Sequence, residues 1–93
     1  MHYLYILHST KHDKFYIGQT PDLETRMLFH NKLSKTSFTS KYRPWTVFFF
    51  FNTPNRSVAM KMEKYLKKKN KAFISRINDD ADLQNYISNK FLL

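Results

Sequence analysis

The chain has no cysteine and only one glycine among its 93 residues. Without cysteine, disulfides, thiolate zinc sites and cysteine nucleophiles are all excluded. A single glycine excludes the glycine-rich loops that bind phosphate, and the common metalloprotease and nucleophile-elbow motifs are missing as well. Gly18 itself should stand where a side chain cannot fit or where φ must be positive.

Long apolar runs are also scarce. The longest covers residues 47–51, whereas a helix needs roughly 20 apolar residues to cross a bilayer. The first residues do not show a charged leader followed by a small-residue cleavage site. We therefore expect a cytoplasmic protein with no membrane partner.

Acidic residues are few compared with basic ones. Sixteen Lys and Arg residues against seven Asp and Glu residues give a formal net charge of +9. Such an excess favours a polyanionic partner, although a generically basic protein would show it too. The hydrophobic content of 42% is too high for a disordered basic tail, so a single nucleic-acid-binding domain over residues 1–93 is expected.

The hydrophobic pattern predicts three strands. Residues 2–7 and 15–17 predict a hairpin. Because side chains alternate between the two faces of a strand, Tyr5 should point away from the residues on either side of it in the first strand, and Tyr16 away from those on either side of it in the second. The unbroken apolar run over residues 46–51 predicts a central strand covered on both faces.

Threonine–proline pairs predict the starts of two helices. Thr20 and Thr53 would be the N-caps, with proline at the first helical position, for helices ending near His30 and Lys69. The other segments are an exposed basic loop over 31–43, a short helix over 72–77, and a last helix through Leu92 capped by Asp79 or Asp80.

Two charged residues fall on helix faces that should be buried. Arg26 shares a face with Leu23, and Glu63 shares a face with Met62 and Leu66. A charge in such a place is costly unless it is paired or coordinated. Either the two residues form a structural ion pair, or they form an active site. In an active site, the guanidinium would hold a phosphate and the carboxylate a divalent cation.

The order of the motifs resembles the GIY-YIG nuclease signature. Tyr3-Leu4-Tyr5 precedes Phe15-Tyr16-Ile17-Gly18, Arg26 follows Gly18 at the family's spacing, and a second helix carries Glu63. The resemblance covers residues 2 to about 77. It is closest to the small standalone bacterial branch, related to the N-terminal nuclease domain of the excision-repair incision subunit. The first motif has Tyr3 where the family has glycine.

This resemblance implies an α/β (α+β) fold with a small three-stranded antiparallel sheet flanked by helices, in the order β-β-α-β-α-α. It implies a Mg²⁺- or Mn²⁺-dependent endonuclease that hydrolyses DNA, structure-specific and related to repair, with RNA as the alternative substrate. A homodimer or a protein partner would have to supply specificity. The competing hypotheses are a catalytically weak or inactive DNA- or RNA-binding module of the same fold, and a structural basic domain in a larger assembly.

The resemblance also implies roles for single residues. Tyr5 and Tyr16 would project into the site, and Tyr5 would orient or deprotonate the attacking water, which requires a cation to lower a pKa that is ordinarily about 10. Arg26 would hold the scissile phosphate, and Glu63 would be the sole protein ligand of Mg²⁺. The remaining candidates are His30 in the site, Lys35, Lys41, Arg43, Lys64 and Lys67 on the nucleic-acid backbone, and Asn78 as the family's downstream asparagine.

Overall fold

The computed structural model describes residues 1–92, which contain one antiparallel sheet. β1 (His2–Ser9) is the central strand and pairs with both β2 (Lys14–Thr20) and β3 (Thr46–Thr53). The predicted three-stranded antiparallel sheet is therefore confirmed. The strand order β2-β1-β3 leaves β2 and β3 at the two edges.

The four consecutive phenylalanines lie in β3, so they are not in a central strand. Phe51 is buried, but Phe50 is 44% exposed. The prediction of a central strand covered on both faces is wrong. An apolar run indicates that a strand packs against other hydrophobic residues, but it does not indicate whether the strand lies at the centre or the edge of its sheet. The central place belongs to β1, in which Leu4 and Ile6 are fully buried.

Helical segments complete the part of the chain that the structure describes. They are α1 (Leu23–Leu28), a π-helical segment (Phe29–Leu33), α2 (Phe38–Lys41), α3 (Arg56–Lys67), α4 (Lys71–Arg76) and α5 (Ala81–Leu92). The short α2 lies inside the predicted loop, since four residues are too few to give a periodic pattern. Within residues 1–92, no helix has the length and apolar character needed to span a bilayer.

Both predicted threonine caps are wrong, for one reason. Thr20 and Thr53 are the last residues of their strands, and the proline after each disfavours helical backbone before it. Asp22 and Asn55 cap α1 and α3 instead, because their side chains accept from the backbone N–H three residues later, at 3.1 and 2.9 Å. The predicted cap of the last helix by Asp80 is confirmed.

The two faces of β1 bury two different clusters. Leu4 and Ile6 pack in one cluster with Met62 and Leu66 of α3 and Ile87 of α5. Burial of each such side chain stabilises the fold by about 1.5–3 kcal/mol. The opposite face carries Tyr5, Leu7 and Trp45, with Tyr16, Leu23, Met27 and Tyr42 packed around them. The aromatic residues of the predicted site lie on this second face.

Candidate active site

Gly18 makes room for the hydroxyl of Tyr5. The two residues are opposite each other in the β1–β2 register, and Tyr5 is only 2% exposed. A Cβ at position 18 would lie 2.5 Å from Tyr5 Oη and 3.1 Å from Tyr16 Cε2. Gly18 does not have a positive φ. Of the two expected reasons for this glycine, lack of space for a side chain is therefore the correct one.

A buried chain of hydrogen bonds runs from β1 to α2. Tyr5 Oη lies 2.7 Å from His30 Nε2, and His30 Nδ1 lies 2.9 Å from Thr39 Oγ1. The π-helical segment that continues α1 carries His30. Tyr16 packs beside this chain, with its ring centre 4.8 Å from that of His30. Tyr5, Tyr16 and His30 are thus brought together as the sequence predicted.

The two polar rings of this chain are neutral near pH 7. Burial raises the pKa of Tyr5. The neighbouring Tyr16 and Glu63 raise this pKa further, whereas the positive charge of Arg26 lowers it. Burial, followed by the charges of Arg26 and Arg43, lowers the pKa of His30 to about 4. Arg26 and Glu63 therefore both lie close enough to influence the Tyr5 hydroxyl.

Arg26 is half buried on α1. Its guanidinium carbon lies 5.1 Å from the ring centre of Phe29, a cation–π contact that contributes about 0.5–1 kcal/mol. Among residues 1–92, no ion pair joins Arg26 to a carboxylate. The alternative of a structural Arg26–Glu63 ion pair is therefore wrong, and the guanidinium donors are available to an anion.

Glu63 lies on α3 beside a basic groove. Its carboxylate is 22% exposed and lies 2.6 Å from Lys67 Nζ. The groove has a volume of about 620 Å³ and is lined by Gln19, Met60, Glu63, Lys64, Lys67 and Lys68. The half-buried position agrees with the inward face predicted for Glu63.

A second groove continues along the free edge of β2. Its volume is about 290 Å³, and its walls include Tyr16 and Lys67. Since Lys67 also lines the first groove, the two grooves adjoin at this side chain. Tyr16 and Glu63 therefore border one stretch of surface that is open to solvent.

The surroundings of Glu63 suit a hard divalent cation. Mg²⁺ is often held by one or two carboxylates, with water and substrate phosphate completing its octahedron. Within residues 1–92, His, Asp and Glu side chains form no group of three that could hold a metal, so Glu63 would be a single protein ligand. Its i,i+4 pair with Lys67 stabilises the helix by only about 0.3–0.5 kcal/mol, little enough for a cation to displace.

The sequence agrees with this geometry. The family model of the GIY-YIG catalytic domain matches residues 1–78. The chain belongs to the GIY-YIG family. No curated protein and no solved structure matches it significantly. The GIY-YIG match places the chain among nucleases, which bind nucleic acid and generally use divalent metal ions.

Four lysines predicted to contact nucleic acid are exposed in the GIY-YIG domain. Lys64 and Lys67 line the Glu63 groove, while Lys35 and Lys41 lie in and around α2. These positions stay predictions of contact with the phosphate backbone. Asn78 is exposed after α4, and its backbone carbonyl accepts from Gln84 Nε2 at 3.3 Å; its predicted role as the family asparagine remains a prediction.

Arg43 is used inside the protein. Its Nε donates to the carbonyl of His30 at 2.6 Å, and a terminal nitrogen donates to the carbonyl of Ser34. The guanidinium thus satisfies carbonyls at the end of the π-helical segment. This geometry indicates a structural role for Arg43, and its contact with nucleic acid stays a prediction.

The sequence did not point to the residues that hold the 31–45 segment. Asn31 exchanges two hydrogen bonds with the backbone of Trp45, at 3.0 and 2.7 Å. Trp45 Nε1 donates to the carbonyl of Thr39 at 2.8 Å. The presence of a single tryptophan was the one available signal, because the partners lie in a segment without periodicity.

The buried His30 predicts a pH-dependent stability. Its pKa is about 4 when folded against an ordinary 6.5, so the unfolded chain binds more protons between these values and stability falls as pH falls. We expect the free energy of unfolding by urea to drop by about 2 kcal/mol between pH 7 and pH 4.5. In His30→Gln this part of the dependence should disappear. An unchanged slope in that variant would contradict the buried neutral histidine.

Proposed function

We propose that this GIY-YIG protein is a metal-dependent endonuclease that hydrolyses phosphodiester bonds in DNA. The observation that carries the proposal is the placement of Arg26 and Glu63. They do not pair with each other, yet the charges of both act on the Tyr5 hydroxyl. A cation-binding carboxylate and a phosphate-binding guanidinium can then act on one phosphodiester group.

Glu63 is the proposed ligand of Mg²⁺ or Mn²⁺. When bound, the ion would polarise the phosphate and stabilise the leaving oxygen. The Glu63 carboxylate supplies the negative charge that a divalent cation requires. Without the cation, this carboxylate pairs with Lys67 Nζ at 2.6 Å. Arg26 offsets negative charge that develops on the phosphate in the transition state, through donors arranged as a planar fork.

Tyr5 and Tyr16 have separate roles in this proposal. The raised pKa of Tyr5 disfavours its deprotonation, and its hydroxyl is engaged with His30 Nε2. Of the two roles predicted for Tyr5, orienting the attacking water is therefore better supported than deprotonating it. Tyr16 lines the second groove, which adjoins the Glu63 groove at Lys67, so Tyr16 is proposed as a further contact of the attacking water.

The phosphate backbone of bound nucleic acid would contact the exposed lysines. Lys64 and Lys67 line the Glu63 groove, Lys41 is exposed at the end of α2, and Lys35 is exposed before it. Contacts of this kind give an affinity that falls steeply with salt and carries no sequence information. We therefore propose a preference for a DNA structure, such as a branch or a lesion met in repair, over a preference for a sequence.

A nicking assay tests the proposal. Supercoiled plasmid and matched linear, flapped and branched DNAs are incubated with the protein in Mg²⁺, in Mn²⁺ and in EDTA, with an RNA panel beside them. We expect cleavage in either metal and none in EDTA. Salt-sensitive binding that is unaffected by EDTA, without cleavage of any substrate, would instead support the inactive binding module of the same fold. Failure to bind DNA or RNA at low salt would support a structural role.

A further inference from the structure

Tyr16 and three other aromatic rings form a continuous cluster. The ring centre of Phe38 lies 6.5 Å from that of Tyr16, 4.9 Å from that of Tyr42 and 6.2 Å from that of Trp45. Trp45 is 2% exposed and forms the floor of the cluster. Phe38, at the start of α2, is its outer member.

Phe38 is 48% exposed, which is unusual for a ring with so many aromatic neighbours. A single exposed apolar side chain needs no special explanation. Here, however, the ring lies nearly parallel to that of Tyr16, with an angle of 25° between the planes, and Tyr16 lines the second groove, which adjoins the Glu63 groove at Lys67. Tyr16 therefore links the exposed ring to the surface that borders the proposed reaction site.

Lysines lie beside the aromatic cluster and near Phe38 in sequence. Lys14 Nζ lies 5.5 Å from the ring centre of Tyr42. Lys41 is three residues after Phe38 in α2 and thus on the same side of the helix, and Lys35 precedes it; both are exposed. An aromatic surface bordered by lysines is complementary to a nucleotide, whose base stacks and whose phosphate is anionic.

The position of α2 is fixed from inside. Thr39 accepts through its carbonyl from Trp45 Nε1, and its Oγ1 lies 2.9 Å from His30 Nδ1. Thr39 is 1% exposed. The residue next to Phe38 is thus bonded directly to the histidine that contacts Tyr5. A ring held in place before binding loses little conformational entropy when a ligand stacks on it.

We propose that Phe38 is a stacking site for an unpaired nucleobase beside the scissile phosphate. The proposal rests on the proposed function, because it takes the phosphate to lie between Arg26 and Glu63. A base inside a duplex has neighbours on both faces, whereas a base in a single strand, flap or bulge offers a free face. Phe38 would therefore select DNA that has an unpaired base at the cleavage position.

Binding measured without cleavage tests this proposal. The wild-type protein in EDTA is titrated against DNA with one unpaired 2-aminopurine and against a fully paired duplex of equal length, at one fixed salt concentration. Phe38→Ala is expected to weaken binding to the unpaired substrate by about 10-fold and to leave duplex binding within about two-fold. Phe38→Trp, which keeps an aromatic face, should retain the preference and quench the 2-aminopurine fluorescence. Tyr86→Ala, at a residue 57% exposed on α5, is the matched control and should change neither affinity.

Different results overturn different proposals. Equal losses for both DNAs in Phe38→Ala, or no loss, would overturn the stacking site alone. An absence of cleavage with the Phe38 effect intact would overturn the proposed catalysis alone. Phe38→Leu keeps the apolar volume without the aromatic face, so it answers the question if the alanine variant proves unfolded by circular dichroism. Retention of the full preference in a folded Phe38→Leu protein would also overturn stacking.

Discussion

Glu63→Gln is expected to lower the rate of DNA cleavage by about 10³-fold, equivalent to about 4 kcal/mol of transition-state stabilisation. Glutamine has nearly the same shape as glutamate but lacks the charge that a hard divalent cation requires. The change also removes the ion pair with Lys67, which costs at most about 0.5 kcal/mol of stability. The loss should therefore appear in single-turnover rates while urea unfolding stays almost unchanged.

Glu24→Gln is the matched control, because Glu24 is the only other glutamate in the chain. It is exposed in the first turn of α1, and its substitution removes the same charge. We expect a cleavage rate within about two-fold of the wild type, since an exposed charge contributes little. Full activity of Glu63→Gln, or equal losses in the two variants, would refute Glu63 as the metal ligand.

Arg26→Ala is expected to lower the single-turnover rate by about 10²–10³-fold at saturating DNA. Arg26 is one of sixteen basic residues, so the affinity for DNA should fall much less than the rate. Arg26→Lys should recover only part of the rate, because an ammonium cannot reproduce two parallel hydrogen bonds to a phosphate. A loss seen only in affinity would assign Arg26 to general backbone binding.

Arg76→Ala provides a control for the loss of one positive charge. Arg76 is exposed on α4 and paired with Asp80 at 3.1 Å, so its removal should leave the maximal rate unchanged. The position of Arg26 can also be checked without any substrate. Because Arg26 lowers the pKa of His30, the pKa of His30 measured by NMR should rise in Arg26→Ala and remain near its wild-type value in Arg76→Ala.

Helical periodicity was enough to identify Arg26 and Glu63 as residues in unusual places. The face on which each residue lies depends only on spacing within its own helix, and the half-buried environments agree with the prediction. The reason for the single glycine was likewise limited to two alternatives before the structure distinguished them. These features could be predicted because they are local in sequence or follow from the absence of a side chain.

Other features depend on contacts between distant segments, which periodicity does not report. The Tyr5–His30 hydrogen bond joins residues 25 positions apart. The edge position of β3 depends on which strand occupies the centre, and the internal use of Arg43 depends on carbonyls left free at a helix end. The threonine caps failed for a different reason: Thr–Pro is compatible with a strand end as well as with a helix start.

The central place of β1 has a consequence for the order of folding. β1 can form a hairpin with β2 early, but its other edge must wait for β3, whose Thr53 pairs with His2. Contacts between segments so distant along the chain slow folding. Glu63 follows β3, on a helix that packs against the completed sheet. During synthesis, a ribosome-bound intermediate that ends before α3 does not yet contain Glu63, so under the proposed function it would be unable to hold the metal ion or to cleave DNA.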